Sequence, residues 1–297
     1  MSAAGDVSLT AQTPRARRRK LIGRIMEGLA TAAALLAVAV LAIVLISVAK
    51  KGLPALNLDL FTQNAAPFGE SGGGIENAIV GTVIIVLIAT AIALPIGVLL
   101  AIFNTEFAPE RLAEAIRLTL NVLAGVPTIV IGVFIFSLIV VGRGQSGSAG
   151  ALGLSIIMLP LIARSTEEVL LLVPSTLREG SMALGASRTR TVLTVILPTA
   201  VGGIVTATIV AIARAAGETA PLLFTCSIFI ATAVTTDPRQ AMATLPIVIF
   251  SSSESPDAHA QQVAWAAALV LIAVVLIGSI VGRLLSAKTR RQIERAR

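Results

Sequence analysis

Apolar residues fall into six long runs, at 28–49, 78–103, 118–141, 151–173, 199–220 and 263–285, separated by polar segments. A hydrocarbon core about 30 Å thick needs about 20 apolar residues per helix. Each run is long enough, so the pattern predicts an all-α membrane protein with about six transmembrane helices. Helix-interrupting residues recur within the runs: Pro95 in the second, Gly125 and Pro127 in the third, Pro160 in the fourth. The fifth starts after Pro198 and stops before Pro221. The segment 221–262 carries two apolar patches, 222–233 and 245–250. Neither is long enough to span, which leaves re-entrant or surface-lying elements, or a loop packed on the helix ends.

Composition agrees. The 297 residues are 56% hydrophobic and 13% charged, whereas a soluble domain carries about 25% charged residues. The lone Cys226 and lone His259 exclude a disulfide framework and a Cys- or His-built metal centre, so no metal site and no catalytic residue is assigned. The net charge of +7 does not point to nucleic acid, because the basic residues sit at the ends of apolar runs without RNA- or DNA-binding motifs. With both ends on the cytoplasmic side, most of the 23 Lys and Arg fall on that side; only Lys50, Lys51, Arg143 and Arg239 fall on the other, and Arg214 lies within a run. That is the positive-inside distribution. It divides the chain into a basic cytoplasmic tail (1–27), a transmembrane domain (28–285) and a second basic tail (286–297). Arg15 to Arg24 also suit contact with anionic membrane lipid. The first run exceeds the roughly 7–15 apolar residues of a signal peptide and is expected to stay as a helix.

The cytoplasmic segment 174–198 is the most informative loop. Glu179-Gly180-Ser181-Met182-Ala183-Leu184-Gly185 is followed, nine residues on, by Val195-Ile196-Leu197-Pro198. Residues 178–184 have helix-forming character and Gly185 is placed to stop them; Val192, Leu193, Ile196 and Leu197 form an apolar stripe into the fifth helix. This resembles the EAA loop of ABC importer permeases, a Glu-Ala-Ala, a Gly, then Ile-x-Leu-Pro. Glu179, Gly185, Leu197 and Pro198 match in spacing, while Gly180 and Ser181 replace the two alanines. The resemblance implies a type I importer permease fold and a short helix that docks in a groove of a separate ATPase subunit. No Gly-x-x-x-x-Gly-Lys-Ser/Thr phosphate loop occurs, so ATP and its Mg²⁺ are expected on that partner, and no cofactor on this chain.

Charges inside the runs carry the second signal. Arg214 and Glu218 are four residues apart, on one helical face, and can pair. A charge at the bilayer centre costs about 2.5–3.5 kcal/mol on insertion scales and normally faces a cavity or partner. Gly203, Ala207, Ala211 and Ala215 form a neighbouring ridge of small residues suited to close helix packing. Arg164, in the inner half of the fourth run, pairs with Glu167 or Glu168 on its own helix or faces the pathway. Guanidinium groups bind tetrahedral oxyanions through paired donors, which favours an anion as cargo.

The segment around Arg214, Ala211-Ile212-Ala213-Arg214-Ala215-Ala216-Gly217-Glu218-Thr219-Ala220-Pro221, resembles phosphate-specific (Pst) importer permeases. So do Ala124-Gly125-Val126-Pro127-Thr128-Ile129-Val130 and, more weakly, Ala101-Ile102-Phe103-Asn104-Thr105-Glu106-Phe107. Leu161 to Glu167 and Gln261 to Ala266 look like the A-type subunit. The resemblance covers about residues 75–285. It implies inorganic phosphate as cargo and Arg164, Arg214 and Glu218 as pathway residues. The implied partners are a homologous C-type permease, two ATPase subunits and an extracytoplasmic phosphate-binding protein, in a bacterial cytoplasmic membrane. The residues alone reach only an importer subunit for an oxyanion, which leaves sulfate or molybdate open. A secondary transporter would share the buried charges but lack the EAA spacing, and no inverted repeat is evident. A serine protease reading rests on Gly144-Gln145-Ser146-Gly147 and lacks a buried Ser–His pair.

Overall fold

The structure, a computed structural model, describes residues 14–64, 73–226 and 233–295. Helices make up the fold, and no β-strand occurs among the described residues. In chain order they are α1 (Pro14–Gly52), α2 (Leu58–Thr62), α3 (Glu76–Ile102), α4 (Glu110–Gly125), α5 (Thr128–Ile135), α6 (Gly147–Leu171), α7 (Ser175–Ala183), α8 (Arg188–Thr191), α9 (Leu197–Ala216), α10 (Ala220–Thr225), α11 (Leu245–Ser253) and α12 (Ala258–Arg295). Residues 1–50 and 51–297 form two separate compact units. The first unit is essentially the α1 helix. Its Leu35, Leu36, Val38, Leu41 and Ile43 have no helix within the unit to pack on, so they require lipid or protein around them.

Five helices among the described residues are long and apolar enough to cross a membrane, or six if a bent pair counts as one span. The described parts of the expected tails are helical, because α1 begins at Pro14 and α12 continues to Arg295; residues 1–13, 296 and 297 lie outside the described residues.

The third run departs most from expectation. Instead of one span over 118–141, α4 and the helix from Thr128 to Val140 meet at 92°. Pro127 lacks an N–H and forces the residue before it out of the α region. Val126 is accordingly extended (φ −67°, ψ 129°).

The fifth span also differs, starting at Arg188 and running through Pro198 to Ala216. A π-turn at Val192–Ile196, in which Leu197 N–H reaches back to Val192 O, absorbs the hydrogen bond that Pro198 cannot donate. The expected apolar stripe is half-realised: Val192 and Ile196 are buried, while Leu193 is exposed.

The core of the second unit is where α3, α6 and α9 pack. Ile85, Ala89 and Ala93 of α3 meet Leu154, Met158 and Ile162 of α6 and Ala211 and Ala215 of α9. The predicted small-residue ridge is present: Ala207, Ala211 and Ala215 are buried, and Gly203 lies against Val169 of α6 so closely that a Cβ there would overlap its methyl groups.

The segment 221–262 is built in rather than draped over the ends. Met242, Leu245, Ile247 and Val248 are buried. Thr82 of α3 accepts a 2.8 Å hydrogen bond from Leu245 N–H, capping α11 from a neighbouring helix. Gln240 and Pro238 carbonyls accept from Gly147 and Ser148 N–H, satisfying the first turn of α6. Ser146 is the N-cap of that helix, its Oγ accepting from Ala149 N–H. It therefore serves as the cap of α6. The patch at 227–232 lies outside the described residues.

Candidate translocation cleft and coupling helix

α6 and α9 carry the two arginines to one place. A cavity of about 230 Å³ is lined by Arg164, Ser165 and Glu168 of α6, Arg214 of α9, and residues on both sides of the α4–α5 bend, including Val126 and Thr128. Glu168 is a functional candidate that spacing did not single out. So is the bend itself, which sets the start of α5, with its partial positive charge, against the cleft wall. Pro127 in the third apolar run was its signal.

Arg214 and Glu218 meet as expected, but across the end of the helix. α9 stops at Ala216, and Glu218 lies in the turn beyond, its N–H bonded to Ala215 O. Arg214 Nε stands 3.6 Å from Glu218 Oε1, with the arginine 60% exposed and the glutamate 16%. At that distance the contact is an ion pair without a hydrogen bond, so the guanidinium keeps its donors for another partner.

Arg164 does not pair on its own helix. It is exposed and has no ion-pair partner among the described residues. Glu167 is engaged elsewhere: Arg117 Nε donates to its Oε1 at 2.6 Å, and Asn104 Nδ2 donates to the same oxygen at 2.8 Å. Side-chain direction separates the two glutamates. Glu167 is buried against α4 and the π-turn Phe103–Phe107 that follows α3, and Glu168, about 100° further round the helix, faces the cleft.

The segment 174–198 folds as its sequence predicts. α7 ends in a Schellman turn: Gly185 N–H bonds Met182 O, and Ala186 N–H bonds Ser181 O at 3.2 Å. Gly185 has φ +83°, a conformation that glycine enters without steric cost. Glu179, Gly180, Met182 and Leu184 are exposed, and Leu184 is 91% so. A short helix thus presents two apolar side chains and an acid at the surface. Ser181 is the inward-facing member, its hydroxyl 2.9 Å from that of Thr191. Leu197 and Pro198 sit at the start of α9 and serve the bend rather than the exposed face.

Residues 93–291 match the model of the family described as binding-protein-dependent transport system inner membrane component. The chain is 38% identical over 249 residues to the phosphate transport system permease protein PstA of Yersinia pestis, covering 83% of this chain and 84% of that one. It is 37% identical over 268 residues to PstA of Haemophilus influenzae, covering 90% and 94%. The chain belongs to the PstA family of transport permeases. A probable PstA of Methanocaldococcus jannaschii is 36% identical, with 87% and 91% covered.

Solved structures of ABC transporters share the fold of this PstA-family chain. A bacterial alginate ABC transporter superposes with a TM-score of 0.63 at 13% identity, covering 91% of this chain and 98% of that one. The MetNI methionine ABC transporter superposes at 0.58 and 22% identity, covering 73% and 94%. At these identities the likeness concerns fold alone. This PstA-family chain is thus a multi-pass inner-membrane permease, and its family comprises transport permeases rather than catalytic subunits.

Proposed function

We propose that this chain forms half of the translocation pathway for inorganic phosphate in an ATP-driven importer, and that Arg164 and Arg214 contact the anion. The observation that carries this is the shared cleft: two guanidinium groups from different helices, one unpaired and one loosely paired, beside the start of a third helix. Such a site offers many N–H donors with no competing strong partner, which suits a tetrahedral oxyanion.

The nearby carboxylates bear on the choice among oxyanions. Glu168 lines the cleft and Glu218 leans on Arg214. A carboxylate accepts hydrogen bonds and does not donate them. Phosphate near neutral pH retains a P–OH to donate; sulfate has none and meets only repulsion. This favours phosphate by penalising the alternative.

In this reading both termini are cytoplasmic. α7 docks on an ATPase subunit through Glu179, Gly180, Met182 and Leu184, and a homologous permease supplies the other half of the pathway. An extracytoplasmic binding protein delivers the phosphate. ATP and Mg²⁺ are held by two ATPase subunits, and this chain supplies no catalytic residue.

The test is labelled phosphate uptake in cells without their own high-affinity importer, carrying the partner subunits and this chain intact, absent, or as Arg214→Ala or Arg164→Ala. Losing a charge-assisted contact worth about 1.5–3 kcal/mol predicts uptake at least roughly tenfold lower for each variant. Excess sulfate is expected not to compete. Full uptake without the chain, or in both arginine variants, would overturn the assignment.

A further inference from the structure

The π-turn Phe103–Phe107 at the end of α3 has three side chains pointing three ways. Asn104 donates to Glu167 of α6 at 2.8 Å. Glu106 meets Arg178 of α7, with Oε1 3.1 Å from Nη2. The Phe107 ring lies under the guanidinium of Arg188 in α8, 5.6 Å from ring centroid to Cζ. One turn therefore touches both helices of the coupling segment and, on its other side, the α6 helix that carries Arg164 and Glu168.

These contacts are unusual for an exposed loop. Glu106 and Asn104 are 6% and 4% exposed. Arg178 also donates to Leu170 O at 2.7 Å and Val173 O at 3.3 Å, so α7 is latched to the last turn of α6 and the residues just beyond it as well. Surface packing alone does not call for a buried carboxylate at this position.

The ion pair is also incompletely made. Glu106 Oε1 and Arg178 Nε are both buried without a hydrogen-bond partner among the described residues. The 3.1 Å approach thus lacks hydrogen-bond alignment. A guanidinium binds a carboxylate best side-on, through two parallel N–H donors. A displacement of α7 that brought Nε onto Oε1, with Nη2 passing to the other carboxylate oxygen, would complete that fork and satisfy both atoms.

We propose that the Phe103–Phe107 turn is the relay by which movement of the coupling segment reaches the arginine cleft, with Glu106 and Asn104 as its positioning residues. This rests on the import reading above. Displacement of α7 is transmitted through Arg178–Glu106 to the turn, and through Asn104–Glu167 to α6, three residues beyond Arg164. Neither positioning residue touches the cargo.

The test uses the assembled importer with cysteine-free partner subunits and a Ser165→Cys reporter in the cleft. Native Cys226 is fully buried and adds little background. The labelling rate of the reporter by a small charged thiol reagent is compared with and without ATP and vanadate. In the otherwise intact chain, trapping is expected to change the rate on the order of tenfold. Glu106→Gln, Arg178→Gln and Asn104→Leu are each expected to abolish most of that change while the ATPase subunit still co-purifies and hydrolyses ATP. Should Glu106→Gln fail to assemble, Glu106→Asp, which keeps the charge but shortens its reach, is expected to give an intermediate change.

A full tenfold response in the Gln or Asp variants overturns the relay. Loss of ATPase co-purification in every variant also overturns it, by showing that these residues only build the docking surface. Phosphate uptake is measured in parallel. A wild-type complex that shows the labelling response but no phosphate uptake refutes the phosphate assignment and leaves the relay standing.

Discussion

Gly203→Ala is a one-carbon probe of the contact that holds the two arginine-bearing helices together. Gly203 lies on α9 against Val169 of α6, five residues from Arg164. A Cβ at position 203 would fall 2.7 Å from Val169 Cγ2 and 3.1 Å from its Cβ, and closer still to Cγ1. Valine in a helix has one strongly preferred rotamer, so it does not swing aside cheaply. Overpacking of this kind costs about 1–3 kcal/mol. Replacing a mid-helix glycine by alanine returns about 1 kcal/mol. The net expectation is a loss of about 1 kcal/mol, which lowers Tm by about 2–4 °C for a chain of this size.

Val169→Ala removes the methyl groups that clash. On its own it loses about 1 kcal/mol, because Val169 is only half-buried. In the double variant the clash is gone and the helix-propensity gain remains, so its Tm is expected near that of the unmodified chain. Unfolding in detergent micelles is read with a thiol-reactive fluorophore. Cys226 is the chain's lone cysteine and is fully buried, so its reaction reports loss of the core. If Gly203→Ala raises Tm, or if Val169→Ala adds its own loss without rescue, the helices do not approach as described and the reasoning fails.

Two further outcomes are expected. Gly180→Ala restores an alanine of the EAA pattern on an exposed face where a new Cβ meets nothing within 4 Å; a gain of about 1 kcal/mol in helix stability should tighten capture of the ATPase subunit by about fivefold in a binding titration. Weaker capture would instead mean that the partner approaches the bare backbone there. Thr82→Val keeps the shape but leaves the buried Leu245 N–H without its acceptor, a cost of about 1–3 kcal/mol; Thr82→Ser should retain most of the stability in the same thermal assay.

The sequence by itself determined the parts that depend on local rules. Apolar runs of membrane length set the number and approximate place of the spans, since lipid imposes a length requirement independent of packing. The stop at Gly185 was legible because a helix that ends in a left-handed turn selects glycine. The ridge Gly203, Ala207, Ala211 and Ala215 was legible because close helix packing demands small residues at fixed intervals. Arg214 and Glu218 were found as a pair because four residues is a helical repeat.

Only the tertiary structure decided the rest. Pro127 was visible, but whether proline kinks a helix or breaks it at 92° depends on what packs against the break. Residues 221–262 were too short in apolar length to be placed, and their burial follows from Thr82 and the first turn of α6, which lie far away in sequence. Glu167 and Glu168 are neighbours in sequence but point to different environments. One is held by Arg117 and Asn104, some 50 and 63 residues earlier; the other faces the cleft. No spacing rule predicts such partners. Within a helix, position fixes only the direction of a side chain, and which charge lies in that direction is set by the packing of other helices.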